Sequence, residues 1–215
     1  MTEVFVDGPA GRLQALHELP DSGARPRFAA VVCHPHPLHG GTLQNTLVFR
    51  AARALRAAGG ATLRFNFRGV EESAGRHDGR AGPGGEEDDA AACLDWLARA
   101  HPGAPLWGAG FSFGARTIAG LAARDARLER LFLIAPPVAL YDAGAVARAP
   151  VPALAVWGSA DQFGNLLAFE RSSPEGAPNL TTLEIAGADH FFRGHTPEVE
   201  AAVLSFALRG LPEPR

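Results

Sequence analysis

The chain has 215 residues, 47% of them hydrophobic and 20% charged, the balance of a globular protein with enough length for a substantial core, and one domain is expected over residues 1–215. A net charge of −3 and a pI near 6.2 argue against electrostatic capture of nucleic acid or of an anionic membrane. All 20 basic residues are arginine, which excludes a Schiff-base lysine and a P-loop lysine.

The N-terminal MTEVFVDGPAG has no basic segment followed by an apolar one, and no run of about 20 apolar residues occurs, so a cytoplasmic protein is expected. Residues 2–7 and 13–19 alternate in polarity around Gly8-Pro9-Ala10-Gly11, the pattern of a β-hairpin at a sheet edge. Residues 28–33, FAAVVC, are continuously apolar and suit a strand buried on both faces of a parallel sheet. A proline- and histidine-rich loop follows, then a helix expected over 43–58 and closed by Gly59-Gly60. Residues 61–67 read as a strand, 68–85 as a long glycine-rich loop in which Arg68 and Asp78 are candidate braces. Residues 86–100 read as a helix with acidic residues in its first turn, matching the helix dipole. Further strands are expected at 131–135, 153–157 and 180–185, with helices at 165–172 and 196–208. This β–α alternation after an opening hairpin predicts a mostly parallel, doubly wound α/β sheet. Cys33 and Cys93 lie in apolar settings and are expected to be buried free thiols.

Between those elements lies LWGAGFSFGARTIAG, residues 106–120. Its Gly110-Phe111-Ser112-Phe113-Gly114 fits the G-x-S-x-G nucleophile elbow, a sharp turn from a buried strand into a helix. Side chains two residues either side of the serine would collide with neighbouring backbone, so glycine at 110 and 114 is what the turn requires. An elbow serine needs a general base and a group to orient that base, in the chain order Ser, then Asp or Glu, then His, each at a strand's C-terminal end. The strand at 153–157 runs into Gly158-Ser159-Ala160-Asp161, and the strand at 180–185 into Ala186-Gly187-Ala188-Asp189-His190. Ser112, Asp161 and His190 are therefore the predicted catalytic residues, with Asp189 the alternative acid.

HPHPLHGGTLQN, FNFRGVEESAG, GFSFGA and GADHFF, in that order, resemble a family of small bacterial α/β-hydrolases related to dienelactone hydrolase. The resemblance runs from about Phe28 to the C-terminus. It implies an α/β-hydrolase fold without a separate lid domain, a Ser-Asp-His triad at Ser112, Asp161 and His190, and carboxylesterase-type activity. One departure is Glu71, which stands in Arg68-Gly69-Val70-Glu71-Glu72-Ser73 where the family usually has glycine, so the shape of the 68–85 loop need not follow the family.

The mechanism also demands two fixed donors for the oxyanion. One is expected to be the backbone N–H of Phe113, just after the nucleophile. The other should come from the loop after the 28–33 strand. Pro35 and Pro37 have no N–H, which leaves His36 first and Leu38 second. The same loop supports a rival: His34-x-His36-x-x-His39 has metallo-hydrolase spacing, although the residue before His39 is Leu38 rather than aspartate. No metal and no cofactor are expected. His17, His77, His101 and His195 read as ordinary surface or loop residues.

The expected reaction is hydrolysis of a small carboxylic ester through an acyl-enzyme on Ser112. About fifteen residues, 136–150, occupy the usual place of a cap, too few for a lid domain. Leu38, Phe111, Tyr141, Phe163 and Phe191 are the candidate substrate-binding residues, with Phe113 and Phe192 beside them. A thioesterase, lactonase or acyltransferase would use the same triad, and a non-catalytic binding member of the fold is the alternative from another class. The expected partner is a small-molecule ester, with no nucleic acid and no membrane; the oligomeric state is left open.

Overall fold

The computed structural model describes residues 1–78, 84–173 and 175–211. Strands β1 (Thr2–Gly8) and β2 (Gly11–Glu18) form the expected hairpin, with Val4 opposite Ala15. The parallel strands are β3 (Phe28–Cys33), β4 (Gly60–Phe65), β5 (Leu106–Phe111), β6 (Leu128–Ile134), β7 (Ala153–Gly158) and β8 (Leu180–Ile185). They lie in one eight-stranded sheet of order β1-β2-β4-β3-β5-β6-β7-β8, antiparallel only where the hairpin joins it. Helices α1 (Thr46–Ala57), α2 (Gly85–Ala100), α3 (Phe113–Ala122), α4 (Gly144–Ala147), α5 (Leu166–Ser172) and α6 (Thr196–Arg209) supply the crossovers. This is the doubly wound α/β-hydrolase sheet, with no lid: the 135–152 segment between β6 and β7 holds only the single turn α4. No helix among the described residues is long and apolar enough to cross a membrane.

The period of two along the central strands divides the core. Phe28, Ala30 and Val32 of β3 face a cluster with Leu47, Ala51 and Leu55 of α1 and Val199 and Val203 of α6. Ala29, Val31 and Cys33 face the other cluster, with Leu94 and Leu97 of α2 and Ala115 and Ile118 of α3. Helices cover both faces, so every strand residue of β3, β5 and β7 is buried, and each large apolar side chain contributes about 1.5–3 kcal/mol. Phe28 stacks on Trp107 at 3.6 Å between centroids. Cys33 and Cys93 are buried free thiols.

Several boundaries differ from the expected ones for local reasons. Helix α1 starts at Thr46 rather than 43, because the Asn45 side chain accepts the Leu47 N–H and caps the first turn. Leu43 stays outside the helix and gives its N–H to Asn66 Oδ1 at 2.8 Å. Strand β6 begins at Leu128, three residues early, on a polar stretch whose Glu129 is exposed. Strand β4 carries a buried arginine: Arg64 places Nε and Nη2 on Glu18 Oε2 at 3.1 and 2.9 Å and Nη1 on the Leu43 carbonyl at 2.9 Å. Arg56 of α1 reaches the other Glu18 oxygen, so one carboxylate joins hairpin, sheet and helix.

Glu71 adopts φ 48°, the left-handed region that glycine occupies freely. The chain around it is pinned. Ser73 Oγ donates to the Asn66 carbonyl at 2.7 Å and accepts the Gln14 N–H at 2.9 Å, and Ala74 N–H bonds the Arg12 carbonyl at 2.8 Å. The departure from glycine is thus absorbed as backbone strain. Arg68 braces the loop by a bidentate pair to the fully buried Asp89 of α2 at 3.0 and 2.7 Å. Asp78 does so by accepting the Gly85 N–H at 2.9 Å. Residues 79–83 of this loop lie outside the described residues.

At the centre of the sheet β5 ends at Phe111 and α3 begins at Phe113, so Ser112 makes the turn alone, at φ 55° and ψ −117°. Its N–H is fixed to the Ile134 carbonyl of β6 at 2.8 Å. A Cβ at Gly110 would lie 2.3 Å from the Gly114 carbonyl, and one at Gly114 2.4 Å from the Cys33 carbonyl. Both obstacles are backbone, so neither can step aside.

Two tests follow from this packing. Gly110→Ala is expected to cost about 2–3 kcal/mol by overpacking, read as a lower urea midpoint at unchanged m-value; a change under about 0.5 kcal/mol would contradict the close approach. The second concerns His17 of β2 and His101 after α2, whose Nε2 atoms are 2.9 Å apart and share one proton. Burial, reinforced for His17 by the neighbouring His101, holds both below the ordinary 6.5. The unfolded chain therefore takes up protons first, so the pair's contribution is intact above about pH 6.5 and is lost as pH falls below it. Equilibrium unfolding from pH 7.5 to 5 should show a shallower loss of stability in His101→Gln than in the wild type, and parallel profiles would refute the assignment.

Candidate functional site

In the sheet order β5 and β7 flank β6, and β8 lies beside β7; the C-terminal ends of β5, β7 and β8 each deliver one polar side chain to the same point. Ser112 comes from the elbow. Asp161 follows β7 in a turn closed by its N–H to the Gly158 carbonyl at 3.1 Å. His190 follows β8. The loops carrying Asp161 and His190 are stitched together: Ala160 N–H bonds the Ala188 carbonyl at 3.0 Å, Ser159 N–H the Ile185 carbonyl at 3.0 Å, and Gly187 N–H Ser159 Oγ at 2.8 Å. Gly158 permits this, since a Cβ there would stand 2.2 Å from the Ala188 carbonyl.

The result is a continuous hydrogen-bonded line. His190 Nδ1 is 2.8 Å from Asp161 Oδ2, and His190 Nε2 is 2.9 Å from Ser112 Oγ. A carboxylate only accepts, so Nδ1 carries the proton, and Nε2 presents its lone pair to the serine hydroxyl. Asp161 Oδ1 accepts the Phe163 N–H at 2.8 Å, which fixes the carboxylate's rotation. Both Asp161 and His190 are buried. The imidazole is walled by Phe111 at 5.3 Å, Phe163 at 4.8 Å and Phe191 at 5.3 Å between centroids. Asp189, the alternative acid, faces outward and is held by Arg193 at 3.0 Å and by the Phe191 and Arg193 amides.

Ser112 and His190 open into a cleft of about 500 Å³ that Phe111, Tyr141, Phe163 and Phe191 help to line. Leu38 is a correction. Its side chain is 71% exposed and takes no part in the cleft, because residues 37–39 form a 3₁₀ turn with no buried member that carries it outward. Asn45, Pro137 and Leu140 line the cleft instead. Phe192, at φ 49°, turns wholly into the core beside α6.

The loop after β3 separates its three histidines. His34 is fully buried, its Nε2 accepts the Phe67 N–H at 3.0 Å and its Nδ1 bonds the Pro35 carbonyl at 2.6 Å. Burial pushes it down to about 4, so it is neutral with both nitrogens engaged and cannot join a zinc site with His36 and His39. His36 and His39 both border the cleft. Burial first, then neighbouring His77 and His39, hold His36 below the ordinary imidazole value. Its Nδ1 accepts the Leu38 N–H at 3.2 Å and its carbonyl accepts the His39 and Gly41 amides, both at 3.1 Å, which fixes the loop. Among the described residues, the amides of His36 and Phe113 have no acceptor; Phe113 is the first residue of α3, where helical amides lack carbonyl partners. His77 is not a solvated loop residue. It is only 10% exposed, bonds Glu86 Oε1 at 2.8 Å through Nδ1, and packs on His36 and Phe113.

Comparison with known proteins agrees with this architecture. No protein-family model matches the chain. The uncharacterized protein RP471 of Rickettsia prowazekii is 34% identical, over 97% of this chain and 89% of that protein. The crystal structure of XC6422 from Xanthomonas campestris, an α/β serine hydrolase without lid, is 33% identical with a TM-score of 0.89, over 100% of this chain and 96% of that one. An alpha-beta serine hydrolase homologue from Coxiella burnetii is 33% identical with a TM-score of 0.85, over 98% and 97% of the two chains. With the same sheet, an elbow serine and no cap between β6 and β7, this chain belongs to the family of α/β serine hydrolases without a lid.

Proposed function

We propose that the protein is a serine carboxylesterase that cleaves small esters through an acyl-enzyme on Ser112. The observation that carries this reading is the line Asp161–His190–Ser112, at 2.8 and 2.9 Å, ending at the floor of an open cleft. His190 Nε2 removes the hydroxyl proton as Ser112 Oγ attacks the ester carbonyl, and Asp161 stabilises the imidazolium that forms. The amides of Phe113 and His36 receive the developing oxyanion. Two fixed donors of this kind lower the barrier by several kcal/mol because they need not reorient during the reaction. The imidazolium then protonates the departing alcohol, the acyl group stays on Ser112, and a water activated by the same nitrogen releases the acid.

The cleft walls favour apolar substituents, since Phe111, Tyr141, Phe163 and Phe191 flank the serine. No cap encloses the ester, so short acyl chains are the fitting substrates. A particular tie to dienelactone hydrolase is part of this proposal and rests on the HPHP, GFSFGA and GADHFF motifs.

Hydrolysis of a short-chain aryl ester is expected in the wild type. Ser112→Ala should lose at least about 10⁴-fold in kcat with an unchanged circular-dichroism spectrum, and undiminished turnover would reject the nucleophile. Asp161→Asn should fall roughly 10³- to 10⁴-fold, because an amide can hold the imidazole in the wrong tautomer; activity within threefold of wild type would remove Asp161 from the line. Parallel assays with thioester and lactone substrates decide which carbonyl the cleft prefers.

A further inference from the structure

The oxyanion reading above places its two donors on different elements, His36 on the loop after β3 and Phe113 at the start of α3. Their amides need to stay in register within a fraction of an ångström if both are to reach one oxygen. No hydrogen bond connects those two residues. What joins them is ring packing: His36 lies 5.1 Å from Phe113, and a third ring, His77, lies 5.0 Å from His36 and 5.7 Å from Phe113. His77 alone among the described residues of the 68–85 loop packs a ring against both donor residues.

That ring is held in turn. Glu86 sits in the first turn of α2, is almost fully buried, and accepts both His77 Nδ1–H at 2.8 Å and the Asp78 N–H at 2.9 Å through one oxygen. The helix N-terminus favours its negative charge. Asp78 closes the arrangement by accepting the Gly85 N–H at 2.9 Å, and Arg68 ties the start of the loop to Asp89 one turn further along α2. The 68–78 segment thus ties α2 to one imidazole packed on the rings of both donor residues.

We propose that His77 is a positioning residue, anchored by Glu86, that holds the His36 loop and the start of α3 in register as the two halves of the oxyanion hole. It touches neither the serine nor the acyl group; it acts through His36 and Phe113. This inference rests on the serine-hydrolase reading of the same cleft.

The consequence is a separation of kinetic constants. Misaligned donors weaken binding of the transition state more than of the ester, so kcat falls while KM holds. With a short-chain aryl ester, His77→Ala and Glu86→Ala are each expected to lower kcat about tenfold with KM within twofold, a fraction of what losing a whole oxyanion donor costs. The double variant should lose no more than either single one, because both break one strut. Glu86→Gln, which keeps the acceptor oxygen, should restore most of kcat. His77→Phe keeps the ring packing without the anchor, guards against a variant that fails to fold, and should fall between wild type and His77→Ala. A KM rise at constant kcat would mean that His77 meets the substrate, and a lower melting temperature with unchanged kcat would mean a merely structural role; either overturns the proposal. An active wild type with unaffected variants would overturn this inference alone, whereas a wild type without esterase activity would overturn the hydrolase reading and this inference with it.

Discussion

The molecule depends on one close approach, that of α3 to β3 and β5 around Ser112. Placing a hydroxyl at the tip of a central strand forces that residue to φ 55° and ψ −117°, a conformation costing of order 1–3 kcal/mol for a side-chain-bearing residue. The cost is tolerated because the surroundings over-determine it. The Ser112 N–H is spent on β6, and α3 packs so tightly that the nearest atoms to Gly110 and Gly114 are backbone. If the helix backed away to admit side chains there, its first amide and the serine would shift together. The proposed nucleophile and one of the proposed oxyanion donors are consequences of the same contact.

Strain of this kind gathers along one rim. Among the described residues, the non-glycine positions with positive φ are Glu71, Ser112, Ala135 and Phe192, and each follows the C-terminal end of a parallel strand, β4, β5, β6 and β8. Among the described residues the opposite rim has none. A parallel sheet sends its chemistry to the C-terminal ends because the connections there are free to differ while the strands stay fixed. In this chain Asp161 and His190 sit on connections bonded to each other at three points, so the proposed acid and base are positioned together.

Much of this was legible in the sequence, for a physical reason. Strands buried on both faces, such as FAAVVC, must be apolar throughout, and the elbow can be built only with glycine on either side of the serine. Asp161 was legible because it follows such a strand, β7, and His190 because it follows β8, an edge strand with exposed polar residues that its short β-branched pattern still marks. What was not legible depended on three-dimensional partners. Leu38 looked like a cleft residue by its neighbours in sequence, but a 3₁₀ turn aims it at solvent. Strand β6 hid its start behind polar Glu129 and Arg130, which an exposed strand end allows. Glu86 resembled an ordinary first-turn acid, and His77 an ordinary loop histidine, until the fold brought them within hydrogen-bonding distance. The expected start of α1 at 43 lies three residues early, although an asparagine before an apolar periodic run is a readable helix cap; Asn45 caps the true start at Thr46.

The account stands on Ser112 being a nucleophile activated by His190, and covalent trapping tests that most directly. Intact-mass spectrometry and peptide mapping after brief exposure to a fluorophosphonate should show one adduct per chain, on Ser112, formed far more slowly when His190 is replaced by alanine. An unmodified chain, or an adduct on another residue with Ser112 untouched, would contradict it.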